Sequence, residues 1–419
     1  MMLETQEPSN LKEKYHQANS ALQQGKWAEA ENLLDELWQQ LPHIHEIGFK
    51  LGIAQMSLDK WTTAITNFER LFAAGLNDAA LTSNLGLAYW KNGQLRQALI
   101  YFRYNLKHYP HHAETHLNLA NLYLDYQHFK SAIHHYHILV YHYPNNIEYR
   151  FNLAASLQKY GIIDEAVMHY NFILTQTPVH LNTFYNLACL YWRLQDYARA
   201  RYFCVETLKY RHHQELVFMR KRIDNEQITS KEYHAYVHEL FENYAAHYNF
   251  HMQKTLKYSI PKLLKQRLKQ MNQTFEQVLD LGCGTGLAAK VLRPFSKQLL
   301  GLDCVKTMLD EAQKTKLYDE LIQMDALKFL TSCEKKFDLI VALELMPYIL
   351  EPQDFVQKIS HRLSPKGHFI FTYEIGQDSL QENARMAFSQ NLIEKCINAS
   401  GFSIKQQEII QARLNKDTW

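Results

Sequence analysis

The sequence predicts an array of helical repeats followed by a domain in which strands and helices alternate around a parallel sheet. Three observations carry this reading. Alanine recurs every 34 residues, at Ala30, Ala64, Ala98, Ala132, Ala166 and Ala200. Glycine is scarce, 14 in 419 residues, and none occurs between Gly161 and Gly282. Three glycines then fall within five positions, at Gly282, Gly284 and Gly286, on the end of an apolar run. The length allows two or more folding units. A chain this poor in glycine but holding 26 Tyr, 21 Phe and 6 Trp favours long helices with much apolar surface to bury.

The 34-residue register has further anchors. Twelve positions before each alanine stands a small residue, Ala18, Gly52, Gly86, Ala120, Ala154 or Ala188, and twelve after it stand Pro42, Leu76, Pro110, Pro144, Pro178 and His212. Each unit reads as a helical hairpin, with the small residues where helices approach most closely. Leu51, Leu85, Leu119, Leu153 and Leu187 fill the core from the first helices, and Leu34, Phe68, Phe102, Tyr136 and Tyr170 fill it from the second. Proline ends the second helix because it cannot donate the next backbone bond. This pattern resembles the tetratricopeptide (TPR) family over residues 11–214, as six repeats without insertion.

One register position of the first helices holds His16, Lys50, Asn84, Asn118, Asn152 or Asn186, the last five each directly before a leucine. In TPR proteins this position faces the concave groove. The resemblance therefore implies a protein or peptide partner gripped through its backbone by the four asparagines, whose amides both donate and accept. A solvated or helix-pairing role is the alternative. Phe151, Tyr185, Trp90 and Trp192 are candidate pocket walls or simple packing residues.

Composition excludes several classes. Lys plus Arg (45) nearly balance Asp plus Glu (43), so the counterion release that drives nucleic-acid binding is not expected. The opening MMLETQEPSNLKEKYHQ is polar, and no apolar run approaches 18 residues. The expectation is a cytoplasmic protein with no membrane association. Six cysteines without a CxxC pair argue against disulfides and zinc, and His134, His135 and His137 supply no converging ligand set, so no metal is expected.

The second half begins with a charged cap or linker at 215–235. From Phe241 to Gln270 the pattern is helical, broken only by Pro261. Val278–Lys290, VLDLGCGTGLAAK, reads as a buried strand, a glycine turn and the start of a helix, a geometry in which a ligand touches backbone. The acidic residue two positions before the first glycine, with the spacing Asp280, Gly282, Gly284, Gly286, resembles motif I of class I S-adenosylmethionine-dependent methyltransferases, a Rossmann-like α/β fold.

Later segments follow the order of that family. The resemblance implies that Asp303, about 20 residues on, accepts the ribose hydroxyls of S-adenosyl-L-methionine. It places Met308 on the adenine face and the Asp325 and Ala326 pair at the adenine amino group. Leu343 follows the fourth strand, and Cys283 lies within the turn. FENYAAHYNFHMQKTLKY, from Phe241, is similar to the signature FDxYAxxFDxHL of predicted bacterial methyltransferases that carry TPR arrays. There the preceding helices form a lid, with Tyr244 and Tyr258 the candidates for closing it. The expected domain spans 236–419.

Two departures stand out. Glu344 takes the place of the usual Asp after strand four. The stretch from Gly401 to Trp419 supplies a sixth strand but leaves little for a seventh. In-line placement of the acceptor is the main requirement for methyl transfer. Glu344, Tyr348 and Glu374 are the candidate bases, and ALELMPY lacks the NPPY-type sequence of many N-methylating enzymes. Three readings of function remain open: a methyltransferase acting on a protein or peptide held by the array, a small-molecule methyltransferase with carboxylate-type substrates, and a non-catalytic scaffold.

Overall fold

A computed structural model describes residues 9–381, 383–410 and 412. The chain divides into two compact units, Met1–Thr207 and Leu208–Trp419.

The first unit is a run of six helical hairpins. They are α1 (Ser9–Gln23) with α2 (Trp27–Gln40), α3 (His45–Ser57) with α4 (Trp61–Ala73), and α5 (Ala79–Lys91) with α6 (Leu95–His108). Then come α7 (Ala113–Asp125) with α8 (Phe129–His142), α9 (Ile147–Tyr160) with α10 (Ile163–Gln176), and α11 (Leu181–Arg193) with α12 (Tyr197–Leu208). All six register alanines are fully buried. A β-carbon on Gly52 would lie 2.3 Å from the Phe68 ring, and one on Gly86 2.6 Å from Phe102. Ring size on the second helix thus dictates the small residue on the first. Pro42, Pro110, Pro144 and Pro178 each stand two residues beyond a second-helix end.

The turn inside each hairpin shows a regularity that residue types conceal. Positions 25, 59, 93, 127, 161 and 195, again 34 apart, all have positive φ. Three are glycine, but Asp59, Gln127 and Gln195 adopt φ of 57°, 59° and 59°. The helix-to-helix geometry is kept even where an L side chain must bear a left-handed conformation, at a cost of about 1 kcal/mol.

The second unit opens with α13 (Gln214–Ile223) and α14 (Ser230–Phe250). The Thr229 side chain caps α14 reciprocally with Glu232. A π-helical turn, His251–Thr255, follows, then α15 (Ile260–Met271). Pro261 does not break a helix as expected; it sits in the first turn of α15, where its missing N–H has no intrahelical partner. The break falls just before it, where Lys257 has φ 50°.

The sheet consists of β1 (Phe275–Leu281), β2 (Ser296–Asp303), β3 (Glu320–Gln323), β4 (Phe337–Ala342) and β5 (Leu363–Phe371). All are parallel, in the order β3-β2-β1-β4-β5. Pro365 and Gly367 lie inside β5, at an irregularity between the Phe337–Leu363 and Leu339–His368 pairings. The connecting helices are α16 (Ala289–Leu292), α17 (Lys306–Lys314), α18 (Ala326–Ser332), α19 (Pro352–Arg362) and α20 (Gln390–Ala399). A small sheet holds β6 (Glu374–Ile375), β7 (Ser379–Leu380) and β8 (Met386–Phe388).

Alternation along β1 divides the core. Leu279 and Leu281 face the cluster of Phe355, Ile359 and Ile393, whereas Val278 faces Leu264, Leu268 and Leu292. Asp280 shares the second face with Val278, which explains a carboxylate only 2% exposed.

Two expectations are corrected. The helix after the glycine turn is only the four residues of α16, preceded by turns and followed by a 3-10 turn at Arg293–Phe295. The sixth strand does not form at residues 402–410. KQQE, from Lys405 to Glu408, lacks the alternation a half-buried strand requires. Gln407 instead donates to the Tyr373 hydroxyl (3.0 Å), Arg267 pairs with Glu408, and the Ser259 N–H donates to the Ala412 carbonyl (2.9 Å). Residues 413–419, where the remainder of that strand was expected, lie outside the described residues.

Candidate active site

The chain leaves β1 between β2 and β4, whose connections diverge. In open α/β sheets ligands bind in the crevice this creates at the carboxyl ends of the strands. The glycine turn lies there. Gly282, Gly284 and Gly286 have φ of 74°, 53° and 80°. The N–H groups of Gly282 and Cys283 donate to the Leu302 carbonyl at 2.8 and 2.9 Å, holding the turn on β2. A β-carbon on Gly282 would approach Leu345 to 3.1 Å, and one on Gly286 would approach Tyr318 to 3.2 Å. On Gly284 it would meet nothing within 4 Å, so a ligand can reach the backbone at that point.

Asp303 closes β2 and ties this turn. One carboxylate oxygen accepts the Gly284 N–H (2.9 Å) and the other the Val305 N–H (2.9 Å). Burial pushes its carboxyl up, with those N–H bonds working against the shift. A carboxylate has about four lone-pair sites, so acceptor capacity remains for hydroxyl groups. Asp280 accepts from the Tyr318 hydroxyl at 2.6 Å. Burial pushes Asp280 up to about 7, the charge of Asp303 adding to the effect and the Tyr318 bond opposing it. Burial also raises the Cys283 thiol.

The other expected cofactor residues are distributed as follows. Asp325 accepts the Lys328 N–H at 3.0 Å as the cap of α18, whose first residue is Ala326. Met308 is buried with Ala245 of α14 and Val305. Leu343 packs beside the Val278 cluster. Tyr244 is hydrogen bonded to His251 and stands edge-on to Tyr248 at 5.4 Å. The Tyr258 N–H donates to the Met252 carbonyl at 2.9 Å. The direct link from α14 to the glycine turn is made by Asn249, whose side-chain carbonyl accepts from the Thr285 hydroxyl at 2.6 Å.

Beyond β4 a second constellation forms. Glu344 has φ 58°, a left-handed conformation for a residue with a side chain, and its N–H donates to the Thr372 hydroxyl at 2.8 Å. Such strain is retained where the surrounding structure over-determines it, and it clusters at active sites. Arg385, 4% exposed, gathers the three candidate bases. Its guanidinium donates to Glu344 (2.9 Å), Glu374 (2.7 Å) and the Tyr348 hydroxyl (3.0 Å). Burial works against the charge of Arg385, but Tyr348, Glu344 and Glu374 outweigh it and hold the group protonated. Tyr233 of α14, fully buried, donates to the Ala384 carbonyl at 2.8 Å and so braces the segment bearing Arg385.

Sequence reasoning missed Arg385, Tyr318, Asn249 and Tyr233. Asn249 stands inside the segment similar to the lid signature, which was the available signal. Arg385 and Tyr318 fall in no motif.

In the first unit, Asn84 donates to the Ala80 carbonyl (2.9 Å), Asn118 to the Ser83 hydroxyl (3.5 Å) and Asn186 to the Tyr170 hydroxyl (2.9 Å). All four asparagines are half-buried. Among the described residues there is no metal-binding cluster and no helix long and apolar enough to cross a membrane.

A parallel sheet of this order with a glycine turn on its first strand, behind a helical-repeat array, defines a two-part protein: TPR repeats joined to a class I methyltransferase domain. Comparison with known proteins agrees. A family model described as tetratricopeptide repeat matches residues 49–113, and one described as methyltransferase domain matches residues 279–371. A ubiquinone biosynthesis O-methyltransferase of Coxiella burnetii is 27% identical over 115 residues, 27% of this chain and 49% of the relative. A malonyl-[acyl-carrier protein] O-methyltransferase of Halalkalibacterium halodurans is 27% identical over 139 residues, 32% and 51% of the two chains. The chain thus spans about half the length of the curated relatives it matches. A tetratricopeptide repeat protein from Parabacteroides merdae aligns at TM-score 0.44 and 18% identity, over 54% of this chain and 90% of that one.

Proposed function

We propose that the chain is an S-adenosylmethionine-dependent methyltransferase that methylates an oxygen of its acceptor, with a protein or peptide held by the repeat array as substrate. The observation that carries the proposal is the sharing of one sheet edge by the glycine turn, Asp303 and the strained, Arg385-bonded Glu344.

The residues fit the cofactor. Gly284 leaves open space against the backbone, and Asp303 keeps acceptor capacity for ribose hydroxyls. The bound cofactor supplies an electrophilic methyl group on a sulfonium. Asp303 and the turn orient the nucleoside end. Glu344 accepts the proton of the acceptor hydroxyl, and Arg385 and Tyr348 offset the negative charge that develops on that oxygen. The lid residues Tyr244 and Asn249 exclude water from the crevice.

A second reading, a small-molecule acceptor, is favoured by the relative whose name attaches O-methylation to ubiquinone biosynthesis. Labelled S-adenosylmethionine incubated with the protein and a cell extract, then resolved by size, separates the two. Label in macromolecules that is lost in the Asn118→Ala/Asn152→Ala variant supports the first. Label confined to metabolites and unchanged in that variant supports the second. Calorimetry showing no affinity for S-adenosylhomocysteine would sink both.

A further inference from the structure

Residues 34 apart occupy equivalent places in the array, so the clefts between successive second helices can be compared directly. Between α4 and α6, Tyr89 stacks on Tyr101 (5.5 Å, 8° between planes) and its hydroxyl donates to the Glu69 carboxylate. Between α8 and α10, the Glu165 carboxylate lies 3.3 Å from His137 and 3.7 Å from His169. At both junctions the chain's own carboxylate occupies the cleft.

The junction between them, α6 against α8, keeps the frame but lacks the acid. Tyr123 stacks on His135 (5.7 Å, 7°), as Tyr89 does on Tyr101. Arg103 stands in the register of Glu69, and Ser131 in that of Glu165. What remains is a cleft of about 630 Å³ floored by Leu119 and Tyr123 and rimmed by Arg103, Lys107, Lys130 and His134, with no Asp or Glu in its lining. Among the described residues, Arg103, Lys107 and Lys130 make no ion pair; Lys130 lies 5.8 Å from the Tyr160 ring. The nearly neutral total charge of the chain makes this local surplus of cations a feature of the site.

We propose that the α6–α8 cleft binds an acidic peptide segment of a partner protein, one carboxylate seating where Glu69 and Glu165 sit at the neighbouring junctions. Arg103 and the Tyr123 hydroxyl donate to that carboxylate, and Lys107 and Lys130 attract the flanking acids. The cations of the site, Arg103, Lys107 and Lys130, stand on the second helices α6 and α8, whereas the asparagine row lies on first helices. It does not depend on the methyltransferase reading.

The test is fluorescence anisotropy of the full chain with labelled hexaglutamate. Arg103→Glu reproduces the Glu69 junction and Ser131→Glu the Glu165 junction. Each is expected to weaken binding at least tenfold, whereas Lys26→Glu, the same charge change as Arg103→Glu in the first hairpin, stays within twofold of the parent. Lys130→Glu serves in place of any variant whose melting curve shows loss of fold. Absence of hexaglutamate binding overturns the proposal. So does unchanged affinity in both cleft variants, an equal loss in Lys26→Glu, or preferential binding of single-stranded RNA.

Discussion

Asp280 ties stability to pH in a way opposite to a surface carboxylate. Its folded-state value is pushed from 3.8 to about 7, chiefly by burial. Between those values the folded chain holds a proton that the unfolded chain has released, so stability falls as pH rises and the loss is complete above the folded value. At about 1.4 kcal/mol per unit the full penalty is about 4 kcal/mol, of which about 3 kcal/mol develops between pH 5 and pH 8. Asp280→Asn keeps an acceptor for the Tyr318 hydroxyl but cannot ionise. The variant is expected to lie within about 1 kcal/mol of the parent near pH 4, the cost of the exchanged hydrogen bond, and to gain about 3–4 kcal/mol on it between pH 4 and pH 8. Tryptophan emission is a poor probe, because five of the six tryptophans, Trp27, Trp38, Trp61, Trp90 and Trp192, lie in the repeat array. Hydrogen exchange of the Leu279 and Leu281 amides in β1, corrected for intrinsic rates at each pH, reports the correct unit. Equal pH slopes in parent and variant would refute the assignment of a protonated, buried Asp280.

Other outcomes follow from the geometry. Arg385→Met leaves Glu344 and Glu374 without their shared guanidinium; unfolding curves should show a loss of about 3–5 kcal/mol, and methyl transfer from labelled cofactor should disappear. Asp303→Asn cannot accept both the Gly284 and Val305 N–H groups and should weaken S-adenosylhomocysteine binding at least tenfold by calorimetry. Gly86→Ala drives a methyl group to 2.6 Å from Phe102. It should cost the array about 1–3 kcal/mol in urea unfolding, most of it recovered by adding Phe102→Leu. Gln127→Gly removes a left-handed side-chain residue and should stabilise the array by up to about 1 kcal/mol in the same assay.

Much of this protein was legible in one dimension because its signals are local. Close packing of a helical hairpin demands a small residue opposite a large one, so Gly52 with Phe68 and Gly86 with Phe102 repeat at a fixed interval. The glycine turn announces itself because three left-handed residues in five positions require glycine at little cost. The hairpin turns at Asp59, Gln127 and Gln195 were not legible, since there tertiary packing imposes the left-handed backbone on residues that do not advertise it. Residues 402–410, expected to form a sixth strand, are the converse case, a polar run that is not strand where it is described. At the sheet edge, the sequence determined which segments are strands and which loop carries glycine. Only the tertiary structure decided that Arg385 meets Glu344 across 41 residues and that Tyr318 meets Asp280 across 38. Those contacts depend on strand order and on which face of β1 a side chain occupies, and burial at that meeting point sets the protonation of Asp280.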